Sequence, residues 1–236
     1  MVYILIGVVV LFLLFALAIA TYSNAQLEDT FEKYNHVPCN KKITGGQFAL
    51  FLTNNVFGSR IMVGRTKGYL TDGYSTKSRM VVLSEATCDS ATVAALTVVS
   101  HEFGHASQHL MASKKLSINR TMSKVVKIVG YFMFPFAVIG LFLFLLFPDL
   151  YYIGLAFLIL ALAIFLFALI VKLSLIPLEK DASKRGLDLL KRTETFDDEE
   201  MAMAKDLLKA ALLTYVGDFL RSILWWTFLT RKSKLF

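Results

Sequence analysis

The sequence predicts a mainly α-helical membrane protein that carries a small α+β domain. Three observations point there. Hydrophobic residues make up 56% of the 236 residues, charged residues only 18%, and the mean hydropathy is +0.59. A soluble domain is roughly 45–50% apolar and about 25% charged. The excess is gathered into uncharged runs at 2–20, 128–147 and 151–171, while most charged residues lie in 21–127 and 172–209. A plain water-soluble enzyme and a disordered chain are both excluded.

Each uncharged run is about the 20 residues that a helix needs to cross a hydrocarbon core of roughly 30 Å. Val2–Ala20 reads as an N-terminal anchor. Ala18-Ile19-Ala20 looks like a cleavage site, but no basic residue precedes the run, and it exceeds the usual signal-peptide length. An uncleaved anchor is therefore expected. Residues 24–35 read as a short polar helix leaving the membrane. Thr44 is placed to cap a helix through about Phe57, with Gly58 ending it. Arg60–Gly64, Gly68–Thr71 and Arg79–Leu83 are short runs rich in Ile, Val, Tyr and Leu, separated by turn residues. They predict two or three antiparallel strands. The 79–83 strand could offer an exposed edge to an extended substrate.

A helix follows over about Ser90–Ala112. Only Pro148, Asp149 and Leu150 separate the next two runs, which predicts a tight transmembrane hairpin. Pro177 opens a further helix. A fourth apolar stretch, 210–229, contains Asp218 and Arg221 and ends in Trp225 and Trp226, followed by Arg231, Lys232 and Lys234. It reads as a span whose charged pair faces other helices, or as a helix lying in the interface.

Lys and Arg number thirteen in 21–127 and eight in 172–209, with none before the first run or in the hairpin turn. Positive charge stays on the cytoplasmic side, so both segments are expected in the cytoplasm. The organisation predicted is an anchor at 1–22, a cytoplasmic domain at 23–127, a hairpin at 128–171, cytoplasmic helices at 172–209, and a fourth helix with a basic tail at 210–236. The net charge of +7 suits anionic lipid. No basic-aromatic motif suggests nucleic acid. Cys39 and Cys88 stand in no metal spacing and are expected as free thiols.

The helix at 90–112 contains His101-Glu102-Phe103-Gly104-His105, an HExxH motif. Residues i and i+4 share a helix face, so both imidazoles can reach one Zn²⁺ at about 2.0–2.1 Å. Glu102 is rotated by about 100° and can act as base toward a water that the metal acidifies. The motif makes the 23–127 domain zincin-like. Gly104 leaves space for a neighbouring backbone. A catalytic zinc needs a third protein ligand. His109 lies about 12 Å along the axis from His101, too far to share an ion, and reads as a surface or outer-sphere residue. The better candidates are Glu179 and Asp181, about 200° apart on their helix. Glu179 shares a face with Ser183 and Gly186, while Asp181 can pair with Arg185. The residues alone favour Glu179, with Ser183 beside it, and leave Asp181 open.

The stretch Leu70–His109, with LSE and HEFGHASQ inside it, resembles the core of the bacterial membrane-bound neutral zinc metallopeptidases, the YugP-like family. Ile43-Thr44-Gly45 and PLEKDASKRGL at 177–187 are also similar, as is the order of anchor, domain, HExxH helix, hairpin and PxExxAS. The resemblance covers about 20–220. It implies a zinc endopeptidase of the bacterial plasma membrane, distantly similar to the HtpX-like membrane proteases. There the glutamate of an ExxxD motif is the third zinc ligand, and matching that motif here selects Glu179. The aspartate of that motif falls on Ser183, and Gly73 stands where the family often has His. The implied function is hydrolysis of protein or peptide substrates at the cytoplasmic membrane face. A non-catalytic, zinc-stabilised membrane scaffold is the alternative, and cleavage within the bilayer a further one. Polar Ser107, Gln108 and His109 on the zinc helix speak against the last.

Overall fold

The computed structural model describes residues 2–223. Trp225, Trp226 and the basic tail of the fourth apolar stretch lie outside the described residues. The chain divides into two compact units. One comprises the chain up to Ser113 together with the chain from Pro177 onward, and the other is Lys114–Ile176.

The first unit begins with α1 (Val2–Asn35). The apolar run and the polar residues 24–35 form one continuous helix rather than two, because no Gly or Pro stands at or near the change from apolar to polar. α2 (Gly45–Phe51) starts at Thr44 in a capping box: Thr44 Oγ1 accepts from Gln47 N, and Gln47 Oε1 accepts from Thr44 N. Such reciprocal bonds satisfy two donors that a helix start leaves unpaired. A π-helical turn (Leu52–Val56) follows, and Gly58, at φ +56°, turns the chain out of it.

Three strands come next: β1 (Met62–Thr66), β2 (Gly73–Ser75) and β3 (Met80–Ser84). The sheet is mixed, in the order β1-β3-β2, with β1 parallel and β2 antiparallel to β3. This corrects the expectation of an antiparallel sheet. β3 is central, since the chain crosses over after β1 and returns beside it through β2. Its backbone is already paired on both sides, so the 79–83 strand is not an open edge; β1 and β2 are the edges.

Ser84 caps the short α3 (Glu85–Asp89), and Thr92 caps α4 (Val93–Leu110) by accepting from Ala95 N. The small apolar start of α4 is buried with Phe48, Leu52, Val81, Leu83, Phe103 and Leu190 in one core. After the second unit, α7 (Leu175–Arg192) and α8 (Asp198–Ile223) complete the first. α8 packs along α1. Cys39 and Cys88 are both free.

α4 and α7 cross with their backbones in contact. A Cβ on Gly104 would overlap the Ala182 carbonyl oxygen, and one on Gly186 would lie 2.8 Å from Ser100 O. Ser100 and Gly104 face Ala182 and Gly186, a small residue every fourth position on each helix, which lets two helices approach closely. Gly104→Val is therefore expected to cost more than the roughly 1–3 kcal/mol of ordinary overpacking, because backbone rather than a side chain must move. Gly130→Ala, where nothing lies within 4 Å, is the control expected to unfold like the parent. Thermal unfolding of both variants checks this.

The second unit contains the expected hairpin. α5 (Lys114–Leu146) and α6 (Tyr151–Leu173) are joined by a 3₁₀ turn at Pro148–Leu150. Both helices are long and apolar enough to cross a membrane. They meet at Gly140 and Gly154, where a Cβ on Gly154 would lie 2.8 Å from Gly140 O. Large apolar side chains such as Phe132, Leu145, Tyr152 and Leu162 are exposed along them. At the other end Asn119 donates to Ser174 Oγ (2.6 Å) and Val171 O (3.4 Å).

Candidate metal centre

α4 presents His101 and His105 one turn apart, with ring centroids 4.8 Å apart and planes at 83°. The Gly104–Ala182 crossing brings α7 close enough for Glu179 to reach both rings. Glu179 Oε2 lies 3.4 Å from His101 Nε2 and 3.3 Å from His105 Nε2. One ligand atom from each of the three residues lies within 4.8 Å of the others. Two atoms each about 2.0–2.1 Å from a tetrahedral ion stand about 3.3 Å apart, so the spacing suits one small cation.

Two buried oxygens here have no hydrogen-bond partner, Glu179 Oε2 and Glu102 Oε2. An unpaired buried carboxylate oxygen is costly, and Glu179 Oε2 lies between the two imidazole nitrogens. Burial would raise the Glu179 pKa, but the imidazoles of His101 and His105 beside it outweigh burial and hold the carboxyl at about 2. Burial would lower that of His105, yet the neighbouring Glu179 carboxylate raises it to about 9. The donors, two imidazole nitrogens and one carboxylate, match the three protein ligands of a catalytic zinc site. Burial raises the pKa of Glu102, which is nearly enclosed.

The outer contacts orient the rings. Ser183 Oγ lies 3.3 Å from His101 Nδ1, and Gln108 Oε1 lies 3.2 Å from His105 Nδ1. A metal-binding imidazole is held this way through its other nitrogen. Gln108 is fully buried, and its amide donates to Leu178 O and Asp181 Oδ2, both at 2.8 Å. Asp181 also accepts from Arg185 Nε at 2.8 Å. Asp181 therefore braces Gln108 and pairs with Arg185, away from the three clustered ligand atoms. His109 Nδ1 lies 2.8 Å from the hydroxyl of Tyr74 on β2, and it too stays outside the cluster.

Sequence reasoning overlooked Gln108. Gln108 follows His105 by three residues, a spacing that places the two side chains together on a helix.

A curated relative matches the chain. It is named "Putative membrane protease YugP", from Bacillus subtilis (strain 168), and is 29% identical over 210 residues, covering 88% of this chain and 88% of that one. No solved structure matches. The His101, His105 and Glu179 cluster is consistent with an HExxH-type zinc site. A family model described as "Putative neutral zinc metallopeptidase" matches residues 9–231, and the chain belongs to that family.

Proposed function

We propose that this protein is a membrane-embedded, zinc-dependent endopeptidase that hydrolyses protein or peptide substrates at the cytoplasmic face of the bacterial plasma membrane. The observation that carries the reading is the buried, unpaired Glu179 Oε2 between two imidazole nitrogens. His101, His105 and Glu179 hold Zn²⁺, and Glu102 is the general base. The metal, when bound, polarises the scissile carbonyl and lowers the pKa of water to about 7. Glu102 removes the proton of the attacking water and later passes it to the leaving amine. Burial raises the pKa of this carboxyl, the direction that favours taking up a proton. Ser183 and Gln108 keep the Nδ1 side of each ring occupied, so that Nε2 faces inward.

β2 is an edge of the sheet and packs against α4. An extended peptide adding to β2 would lie next to the helix that carries His101, Glu102 and His105. The two long apolar helices, the basic segments on either side of them and the name of the relative support the membrane location. The open coordination position and the unpaired base favour an enzyme over a zinc-stabilised scaffold.

Full-length protein purified in detergent is expected to hold about one zinc per chain and to cleave an unstructured protein such as casein. A strong chelator should reduce cleavage at least about 100-fold, and added Zn²⁺ should restore it, because the metal supplies both the polarisation and the acidified water. Zinc-loaded protein without cleavage would support the scaffold instead.

A further inference from the structure

One end of the sheet has no part in the metal centre. Between residues 33 and 84 the chain carries eight Lys and Arg and a single acidic residue, Asp72. Asp72 is used inside the fold, where it accepts from Ser84 N at 2.8 Å, Ser84 Oγ at 3.0 Å and Thr87 Oγ1 at 3.1 Å. Three of the basic residues, Arg60, Lys77 and Arg79, gather at the far end of the strands from it. There Met62 is paired in register with Met80, and Met62 N donates to Arg79 O at 2.9 Å. The approach to β1 and the turn before β3 therefore lie side by side. Arg60, Lys77 and Arg79 are exposed, and none of them forms an ion pair with a described residue. Arg65, in contrast, is paired with Asp89 at 2.6 Å. Val56 and Met62 are exposed at this end as well.

Two features relate this end to the membrane side of the first unit. β1 and β2 are joined across the opposite end, and Tyr69 in that connection packs edge-on against Phe31 of α1, with ring centroids 5.3 Å apart. Phe31 stands eleven residues beyond Ala20, where the apolar run stops, or roughly 16 Å further along the helix. The Tyr69 end is thus the one beside the polar half of α1, and the Met62 end is its opposite. The path of the chain agrees. Tyr74 precedes Ser75, which is paired with Met80, and it holds His109 in the last turn of α4. The first hairpin helix opens at Lys114, four residues after α4 ends at Leu110.

We propose that the Met62–Met80 end of the sheet is a lipid-docking surface, with Arg60, Lys77 and Arg79 seated on the anionic headgroups of the cytoplasmic leaflet and Val56 and Met62 entering the interface. This inference rests on the membrane location proposed above. Each Lys or Arg close to an anionic leaflet raises the docked population about fivefold. The attraction fades within a Debye length, about 8 Å at physiological salt. Long basic side chains cover apolar surface with their methylenes while the charged head reaches a phosphate. β2 ends in this same patch, so a peptide added to its edge would lie at the headgroups.

The test uses the full-length chain reconstituted in vesicles, with a nitroxide attached through Met62→Cys. Lys67→Cys, exposed at the Tyr69 end, is the reference, and unaltered chain given the same reagent corrects for Cys39 and Cys88. Collisions with oxygen, which concentrates in the bilayer, are compared with collisions with a water-soluble nickel chelate. In phosphatidylcholine mixed with phosphatidylglycerol, the label at 62 is expected to favour oxygen and the label at 67 the chelate. In phosphatidylcholine alone, or at high salt, the label at 62 should move toward the chelate. Arg60→Gln and Lys77→Gln should each lower the docked-to-undocked ratio about fivefold. Equal access of the chelate to both labels in the anionic vesicles would overturn the proposal. Shielding at 62 that is the same in both lipids and in detergent would overturn it too, because a second protein copy would then be the occupant. A chain that alkaline carbonate strips from the vesicles would refute the membrane location itself, and the inference with it.

Discussion

Glu102→Gln is expected to keep one zinc per chain and to lose about 10²–10⁴-fold in kcat, the usual contribution of a positioned general base. The amide has the same shape as the carboxyl, so the packing around this nearly enclosed side chain is preserved. What disappears is the ability to accept a proton and return it to the leaving group. Zinc content and casein cleavage measured on the same preparation separate the two consequences. Loss of both metal and activity would show that Glu102 supports the centre rather than the reaction, and unchanged cleavage would remove it from the mechanism.

The second large effect concerns the third ligand. Glu179→Ala should abolish tight zinc binding and cleavage together, because two imidazoles on one helix turn hold an ion poorly without the carboxylate. It also removes the neighbour that raises the His105 pKa. Asp181→Asn should behave differently. Asp181 accepts from Gln108 and Arg185, so the variant loosens the brace behind His105. A loss of zinc affinity within the 10–100-fold range of outer-sphere changes is expected, with cleavage retained at saturating zinc. The reverse ranking of the two variants would make Asp181 the ligand. Equilibrium zinc titrations of both proteins decide between them.

Much of this centre is legible in the sequence because helix geometry is local. The i, i+4 spacing of His101 and His105 already places two nitrogens together, and Gly104 between them signals a close neighbour. The alternation of Glu179, Ser183 and Gly186 along one face of α7 points to the same crossing from the other side. Thr44 and Gly58 mark their helix boundaries through cap and turn chemistry that needs no distant partner. The sheet is less legible. Strand direction depends on the path between β1 and β3, and the short β2 shows too few residues for its pattern to reveal which strand becomes central. The junction at residue 24 was misleading for a related reason: a change from apolar to polar residues marks a change of surroundings, not of backbone, and α1 runs through it.

The crossing of α4 and α7 also sets a timetable. The helix with the two histidines and the helix with the carboxylate lie on opposite sides of the membrane hairpin in the chain. On the proposed reading, a nascent chain that has been made only as far as the hairpin holds two ligands and a base but no third ligand. The chain must be extended past Pro177 before Gly104 can meet Ala182 and Gly186. If the proposed function holds, a peptidase built in this order stays inert during its own synthesis and gains its activity only when the segments on both flanks of the hairpin have been made.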